Sequence, residues 1–556
     1  MTLQAERPQS VPADPARPGS WWPAAVTGLV AAAAALGAGE LVGAFFAPSP
    51  GPVIGVANRV IDHAPTWFVE FGKSIFGLAD KPALILGTII ISLVLGFALG
   101  IASRQNRLVG AAGIAAFGIV GLLAVAVDPQ GSVPAAIVVA LTAVAVGVGV
   151  LFRLLRLAGA GDAVAVSSAR AAATDAGPGE TGSNAPVVTE YPTSPAVSRR
   201  SFLNWAGAAG VATAGAVVVS RSIRSRTNVS TARSAVTIAP EVDTRVGEIL
   251  TEAASSELAG TPGLTPLVIP NDEFYLIDTA LVKPQVDPGG WSMTIRGMVD
   301  REVTLTYEEL LDRSTTVAPV TLSCVSNEIG GDLVGNAVWQ GVPLVELLDE
   351  AGVRPGATQI ASRSVDGWTC GFPTEAAYDG RTALVAVAMN GEPLPVAHGF
   401  PARLVVSGLY GYVSATKWLS EIELTTLEDF NGYWIPRGWS KDGPVKTQSR
   451  IDTPRRGERV QADTPVAIAG VAWAPDTGIK VVEVQIDDGE WQQADLGESL
   501  GADAWRQWVL SWTPSAGSHT IRVRATDESG YTQTSDRAAP APSGATGWHE
   551  ITVEAA

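Results

Sequence analysis

Side chains able to do chemistry are scarce in this chain, so the places where they occur are informative. Its 556 residues include two cysteines, Cys324 and Cys370, and four histidines. Cys324 sits in TLSCVSNEIGGDLVGNAVW (321–339), shortly before Gly330-Gly331. Taken by itself it is open to four readings: a small buried hydrophobe, half of a disulfide with Cys370, a nucleophile served by His398, His519 or His549, or a metal ligand. Asn327, Gly330 and Gly331 allow a tight loop whose backbone amides approach a ligand closely. Downstream, MNGEPLPVAHGFPARLVVSGLYGYVSATKWLSEIEL (389–424) gathers His398, Arg403 and Lys417 into an otherwise apolar stretch. Burying three such groups is costly without an anion. A phosphate-bearing ligand is the simplest compensation, with Arg403 offering a forked contact. A surface loop with ordinary salt bridges is the alternative.

The composition narrows what these residues can serve. Formal charge is −17, with no long Lys/Arg block in the back half, which disfavours nucleic acid as a partner. Two cysteines and four histidines are too few for a zinc site of sequence-adjacent ligands. A hydrophobic fraction of 47% over this length points to several units, some of them in a membrane.

Residues 1–156 read as a four-helix membrane region. Apolar stretches at 21–46, 82–102, 107–127 and 133–152 each approach the ~20 residues that span a bilayer. Arg7, Arg17, Arg104, Arg107, Arg153 and Arg156 lie at one set of ends and Asp128 at the other, so both ends of the bundle face the cytoplasm. Residues 157–197, rich in Ala, Gly, Ser, Thr and Pro, read as a flexible linker. The segment SRRSFLNWAGAAGVATAGAVVVS, within 198–222, reads as an internal twin-arginine export signal or as a fifth membrane helix. Either way, the rest of the chain lies outside the cytoplasm, although Arg221, Arg224, Arg226 and Arg233 run against that polarity. Residues 235–450 alternate strand-like runs (WSMTIRGMV, TALVAVAMN, ARLVVSG) with short helices, one started by Thr306 before Glu308 and Glu309. Residues 455–556 carry short alternating strands, a turn at Asp488-Gly489 and many tryptophans, the pattern of an immunoglobulin-like β-sandwich.

CVSNEIGGDLVGNAVWQGVPLVELLDEAGV, followed by MNGEPLPVAHGFPARLVV and GLYGYVSATKWL, resembles the sulfite-oxidase family of molybdopterin enzymes, over about 265–450. The tail is similar to that family's C-terminal Ig-like dimerisation domain. The expected architecture is therefore multi-domain: a transmembrane α-helical bundle, an α+β molybdopterin-binding domain of the sulfite-oxidase fold, and a C-terminal Ig-like sandwich. The resemblance implies a molybdenum–molybdopterin cofactor, with Cys324 as the thiolate ligand of the metal. It implies that His398 and Arg403 hold the pterin phosphate and that Ala415, Thr416 and Lys417 close over the pterin. Asp272 and Tyr275 would line the other side. If Cys324 ligates the metal it is not bonded to Cys370, which becomes a small residue of the pocket wall.

Two departures bear on the substrate. Family members carry an arginine near the metal in the loop matching FYLIDTAL, and residues 274–278 here hold no basic side chain. The family's WQRRDY pattern is replaced by YWIPRGWS, leaving Arg437 or Arg450 to supply positive charge from elsewhere. The expected activity is two-electron oxo transfer on a small sulfur-type substrate, on the outer side of the cytoplasmic membrane. A sulfoxide, N-oxide or methionine-sulfoxide reductase is the first rival, and a metal-free surface binding protein the second. His63 is the one histidine in the front helices, in the loop after the first span, so no haem is expected in this chain and electrons pass to a separate partner. The partners implied are thus a small oxo donor or acceptor, an electron carrier and the lipid bilayer. Pairing of two copies through the C-terminal domain is left open.

Overall fold

The computed structural model describes residues 21–65, 79–158, 199–226, 229–238, 240–255 and 258–556, with a few positions between 66 and 78. The linker expected at 157–197 falls, after Leu157 and Ala158, outside the described residues, as do Arg7 and Arg17. The chain forms two compact units, Met1–Arg226 and Thr227–Ala556.

Among the described residues of the first unit the helices include α1 (Trp22–Gly43), α2 (Pro52–His63), α3 (Asp80–Ala102), α4 (Arg107–Ala126), α5 (Val133–Leu157) and α6 (Arg199–Arg226). Among the described residues five helices are long and apolar enough to cross a membrane, and the chain is membrane-associated on that ground. Glycine lets α1 and α3 touch: a Cβ on Gly28 would stand 2.1 Å from Gly96 O, and one on Gly100 2.1 Å from Ala24 O. Around them Ile90, Ile91, Val94 and Leu141 point outward, as a lipid-facing surface requires.

The segment expected as a loop between the first two spans is instead the short helix α2, with His63 its last residue. It is too short to cross a bilayer. Gly51-Pro52 starts it, and Glu40 of α1 caps it by accepting from Val53 N at 3.1 Å. Its Asn58 Nδ2 donates to Asp128 Oδ2 at 2.8 Å.

The second unit opens with α7 (Ser230–Ser234) and α8 (Pro240–Ala254). Its α+β part holds two sheets. One has the order β2-β1-β10-β5-β6, built from β1 (Ser292–Gly297), β2 (Val303–Thr306), β5 (Gln359–Ser364), β6 (Thr369–Pro373) and β10 (Leu419–Thr425). The other has the order β3-β4-β7-β8, with β9 also on β7. It comprises β3 (Thr316–Ser323), β4 (Val334–Pro343), β7 (Ala383–Met389), β8 (Glu392–Pro393) and β9 (Arg403–Val406). β7 is buried at every residue, which is why its sequence is a continuous apolar run rather than an alternating one. Three helices complete this part: α9 (Tyr307–Asp312), α10 (Leu344–Ala351) and α11 (Gly411–Ser414). Thr306 and Glu309 form a reciprocal capping box on α9.

The C-terminal sandwich pairs β11 (Gln448–Thr453), β13 (Val466–Trp473), β17 (Arg506–Trp512) and β16 (Asp495–Leu496) in one sheet. The other holds β12 (Arg459–Val460), β19 (His549–Ala555), β18 (Gly517–Asp527), β14 (Ile479–Ile486) and β15 (Gln492–Gln493). β11 straddles the boundary expected at 450–455, because it pairs with β13 and so begins the sandwich. The sandwich is not an independent body. Trp473 and Trp505 belong to the core of the α+β part, and Trp505 Nε1 donates to Leu267 O at 2.7 Å. Asp503 accepts from Thr382 Oγ1 and Ser407 Oγ, each at 2.5 Å.

Candidate active site

Four segments converge beside the second sheet: the end of β3, the loop 271–285, the turn Val396–His398 leading to β9, and residues 415–418. The β3–β4 hairpin sets the first. Ser323 lies opposite Val334, so the chain returns at once after Cys324. Cys324 N donates to Leu333 O at 2.9 Å, and Leu333 N donates to Asn327 Oδ1 at 2.9 Å, which closes the loop 324–333 on itself. Cys324 is buried, and neither cysteine forms a disulfide.

Arg403 begins β9 and is almost wholly buried, at 4% exposure. Its guanidinium stacks 4.9 Å over the Trp339 ring and donates to His398 O at 3.1 Å. Burial alone holds Arg403 down to about 10. Lys417 is held down to about 8, first by burial and then against the opposing pull of Asp278. Its Nζ donates to Asp278 Oδ2 at 3.1 Å, and Lys283 Nζ donates to the same oxygen. Two lysines thus share one carboxylate while Arg403, among the described residues, meets only carbonyls and a ring, so the three cations outnumber Asp278 by two, with Arg403 and Lys417 buried and Lys283 half-buried. Charges buried this way cost several kcal/mol unless matched.

His398 lies at 3% exposure with Nε2 3.0 Å from Asn271 O. A carbonyl only accepts, so Nε2 carries the proton and Nδ1 is a bare acceptor. Nδ1 is buried and has no hydrogen-bond partner among the described residues. Burial, then the charges of Lys417 and Arg403, push this imidazole down to about 3, so it is neutral. Phe274 stands edge-on to the rings of both His398 and Trp339 and stacks on Tyr275, with Gly335 leaving room for it. Burial raises the Tyr275 phenol well above its usual range; the neighbouring Cys324 adds to this and Arg403 opposes it. Gly399, at φ +115°, lets the turn approach Lys417: a Cβ there would stand 3.1 Å from both Lys417 Cα and Arg403 Cβ.

The fold therefore brings Tyr275, Cys324, His398, Arg403 and Lys417 together. Thr416 turns inward, its hydroxyl 2.7 Å from Ser362 Oγ and 3.1 Å from Cys370 Sγ. That contact makes Cys370 a wall residue, its thiol pushed up to about 11 by burial. Ala415 is half-buried at the edge, with its amide given to Gly411 O. Asp272 stays exposed, and its neighbour Asn271 makes the contact to His398. Asp278 and Lys283 were not among the residues singled out from sequence; folding pairs them with each other and with Lys417. Arg450 is spent on the scaffold, donating to Asp452 Oδ1, Gly331 O and Thr265 Oγ1.

The residues present fit a phosphate-bearing cofactor: a surplus of two positive charges with Arg403 and Lys417 buried, a buried acceptor on His398, and a glycine where a side chain would crowd the turn. The same region is where known proteins match. Residues 280–434 match the oxidoreductase molybdopterin binding domain, and 448–523 a bacterial Ig domain. The Bacillus subtilis oxidoreductase YuiH is 33% identical over 170 residues, covering 31% of this chain and 82% of that protein. This chain belongs to the sulfite-oxidase family of molybdopterin-dependent oxidoreductases. Human mitochondrial sulfite oxidase is 29% identical over 322 residues, 49% of this chain and 58% of the human protein, so the match spans little more than half of that relative. The solved sulfane dehydrogenase SoxCD of Paracoccus pantotrophus aligns with TM-score 0.45 and 24% identity, over 49% of this chain and 76% of that one. As a member of this family the chain is a molybdenum-cofactor oxidoreductase with an Ig-like C-terminal domain.

Proposed function

We propose that this oxidoreductase carries out two-electron oxo transfer on a small sulfur-type substrate, with residues 227–556 on the outer side of the cytoplasmic membrane. The observation that carries the reading is the pair of surplus positive charges around Arg403, Lys417 and Lys283, next to a buried cysteine. A phosphate monoester carries about −1.5 to −2 at neutral pH, which matches that surplus. Cys324 Sγ is the soft ligand for the metal. Arg403, Lys417 and Lys283 hold the phosphate. His398, neutral and with Nδ1 as acceptor, takes an N–H or O–H of the cofactor instead of adding a charge. Tyr275 keeps its phenol protonated beside Cys324. When bound, the molybdenum centre supplies two-electron exchange coupled to gain or loss of an oxygen atom. Electrons then pass to or from a separate carrier.

A second reading, reduction of a sulfoxide or N-oxide, is favoured by the loop beside the site. It presents Leu276, Ile277 and Val282 to solvent, each 44% exposed or more, where an anionic substrate would want cations. Metal analysis of the full chain tests the cofactor assignment. About one molybdenum per chain, lost in Cys324→Ser, supports it, and metal retained by that variant defeats it. Sulfite-dependent reduction of an acceptor, against sulfoxide-dependent oxidation of a donor, then separates the two substrate readings.

A further inference from the structure

Two side chains of the C-terminal sandwich press on the loop that carries Cys324, and nothing in the chemistry above uses them. From β11, Arg450 Nη1 donates to Gly331 O at 2.9 Å. Arg450 is itself held by Asp452 Oδ1 at 2.6 Å and Thr265 Oγ1 at 2.9 Å, so its position is over-determined. From β19, His549 lies against Gly330, where a Cβ would stand 2.3 Å from Nε2 and 2.4 Å from Cδ2. The imidazole is fixed in turn, because Ile451 N donates to its Nδ1 at 3.0 Å. Gly330 has φ +76°, and Gly331 packs so tightly that a Cβ would stand 2.6 Å from Asn327 Oδ1. The loop is therefore tied from within by Asn327 and Leu333, and from outside by Arg450 and His549.

We infer that Arg450 and His549 are positioning residues for the reaction centre. They clamp residues 325–333 and so set the direction in which Cys324 Sγ meets its metal. The sandwich then works as part of the catalytic unit, an additional role beside any pairing of chains. This rests on Cys324 being the metal ligand.

The test uses the full chain, metal-loaded, in detergent, with His549→Ala, Arg450→Ala, the conservative His549→Gln, and Gly330→Ala, which disturbs the same contact from the other side. Amide exchange across 325–333 and the paramagnetic spectrum of the one-electron-reduced metal are measured at equal metal content. The two alanine variants should speed exchange in that segment by about tenfold or more and shift the spectrum. His549→Gln, whose amide oxygen replaces the Nδ1 acceptor, should restore both towards wild type. Gly330→Ala should also shift the spectrum, and less so in a His549→Ala background, since the two substitutions act on one contact. Wild-type exchange and spectrum in both alanine variants would overturn the clamp; where His549→Ala does not accumulate, a wild-type spectrum in Gly330→Ala does so. Metal content in Cys324→Ser reports separately on the ligand assignment.

Discussion

Arg403 serves the site at a cost to the fold. Its guanidinium is buried against Trp339 and, among the described residues, bonded only to carbonyls, with Asp278 already shared by two lysines. A buried guanidinium with no anionic partner carries an uncompensated desolvation cost of several kcal/mol, which a well-packed apolar side chain of similar volume does not. Arg403→Met should therefore raise the thermal midpoint of the metal-free chain while lowering its molybdenum content at least about tenfold, since a charge-assisted contact to phosphate is worth about 1.5–3 kcal/mol. A midpoint that falls together with metal content would mark Arg403 as structural. His398, Arg403 and Lys417 stood out in the sequence because polar groups inside an apolar run demand a reason, whereas Cys324 was singled out as a metal ligand only by the resemblance to the family. Asp278 and Lys283 were not, because each looks like an ordinary loop charge until folding brings both to Lys417. Asp272 stays exposed, and the contact of that loop to His398 is made by the backbone carbonyl of Asn271, which no side-chain pattern reveals.

At the level of elements, the site depends on turns as much as on strands. Gly399 is the clearest case. Alanine there meets both a left-handed φ and contacts at 3.1 Å to Lys417 and Arg403. Gly399→Ala should cost about 1–3 kcal/mol and loosen Lys417 from Asp278, seen as a lower midpoint and reduced metal content; unchanged values would show that the turn is not tight. In the membrane unit, hydropathy windows found the long helices but not α2, whose length and mixed polarity look like a loop. What makes it a helix is tertiary, the carboxylate of Glu40 on the amide of Val53. Glu40→Ala leaves that amide without its acceptor, and should lower the detergent-solubilised midpoint by an amount equivalent to about 1–3 kcal/mol. No change would place the helix start under other control. The same carboxylate bears on the arginines that ran against the expected polarity. Arg224 acts electrostatically on Glu40 and donates to Ser49 O at 3.4 Å, while Arg233 is bound to Glu392, Pro393 O and Leu394 O. Two of the four charges are thus engaged within packed structure, which weakens their value as topology signals.

For the molecule as a whole, the sandwich was legible as a fold but not as a structural partner of the site. Its alternating strands announce two sheets, whereas Trp505 on Leu267 and His549 on Gly330 join segments far apart in the chain. That junction carries a pH signature. Burial first, then Arg456 and Arg450, hold His549 down to about 4, with Asp452 opposing and Arg537 adding to the effect. An unfolded histidine titrates near 6.5. Between these values the unfolded chain binds a proton that the folded chain refuses, so stability falls as pH drops from about 6.5 towards 4 and levels off below. At about 1.4 kcal/mol per unit the full loss comes to about 3–4 kcal/mol, and neutral His398 adds to it in the same direction. Unfolding midpoints of the full chain at pH 7.5 and 4.5 check this. The drop should be visibly smaller in His549→Gln, which keeps the acceptor for Ile451 N but cannot titrate. Equal drops in the two proteins would mean that the junction between sandwich and catalytic part does not govern acid stability, and that the acid-sensitive step lies elsewhere in the fold.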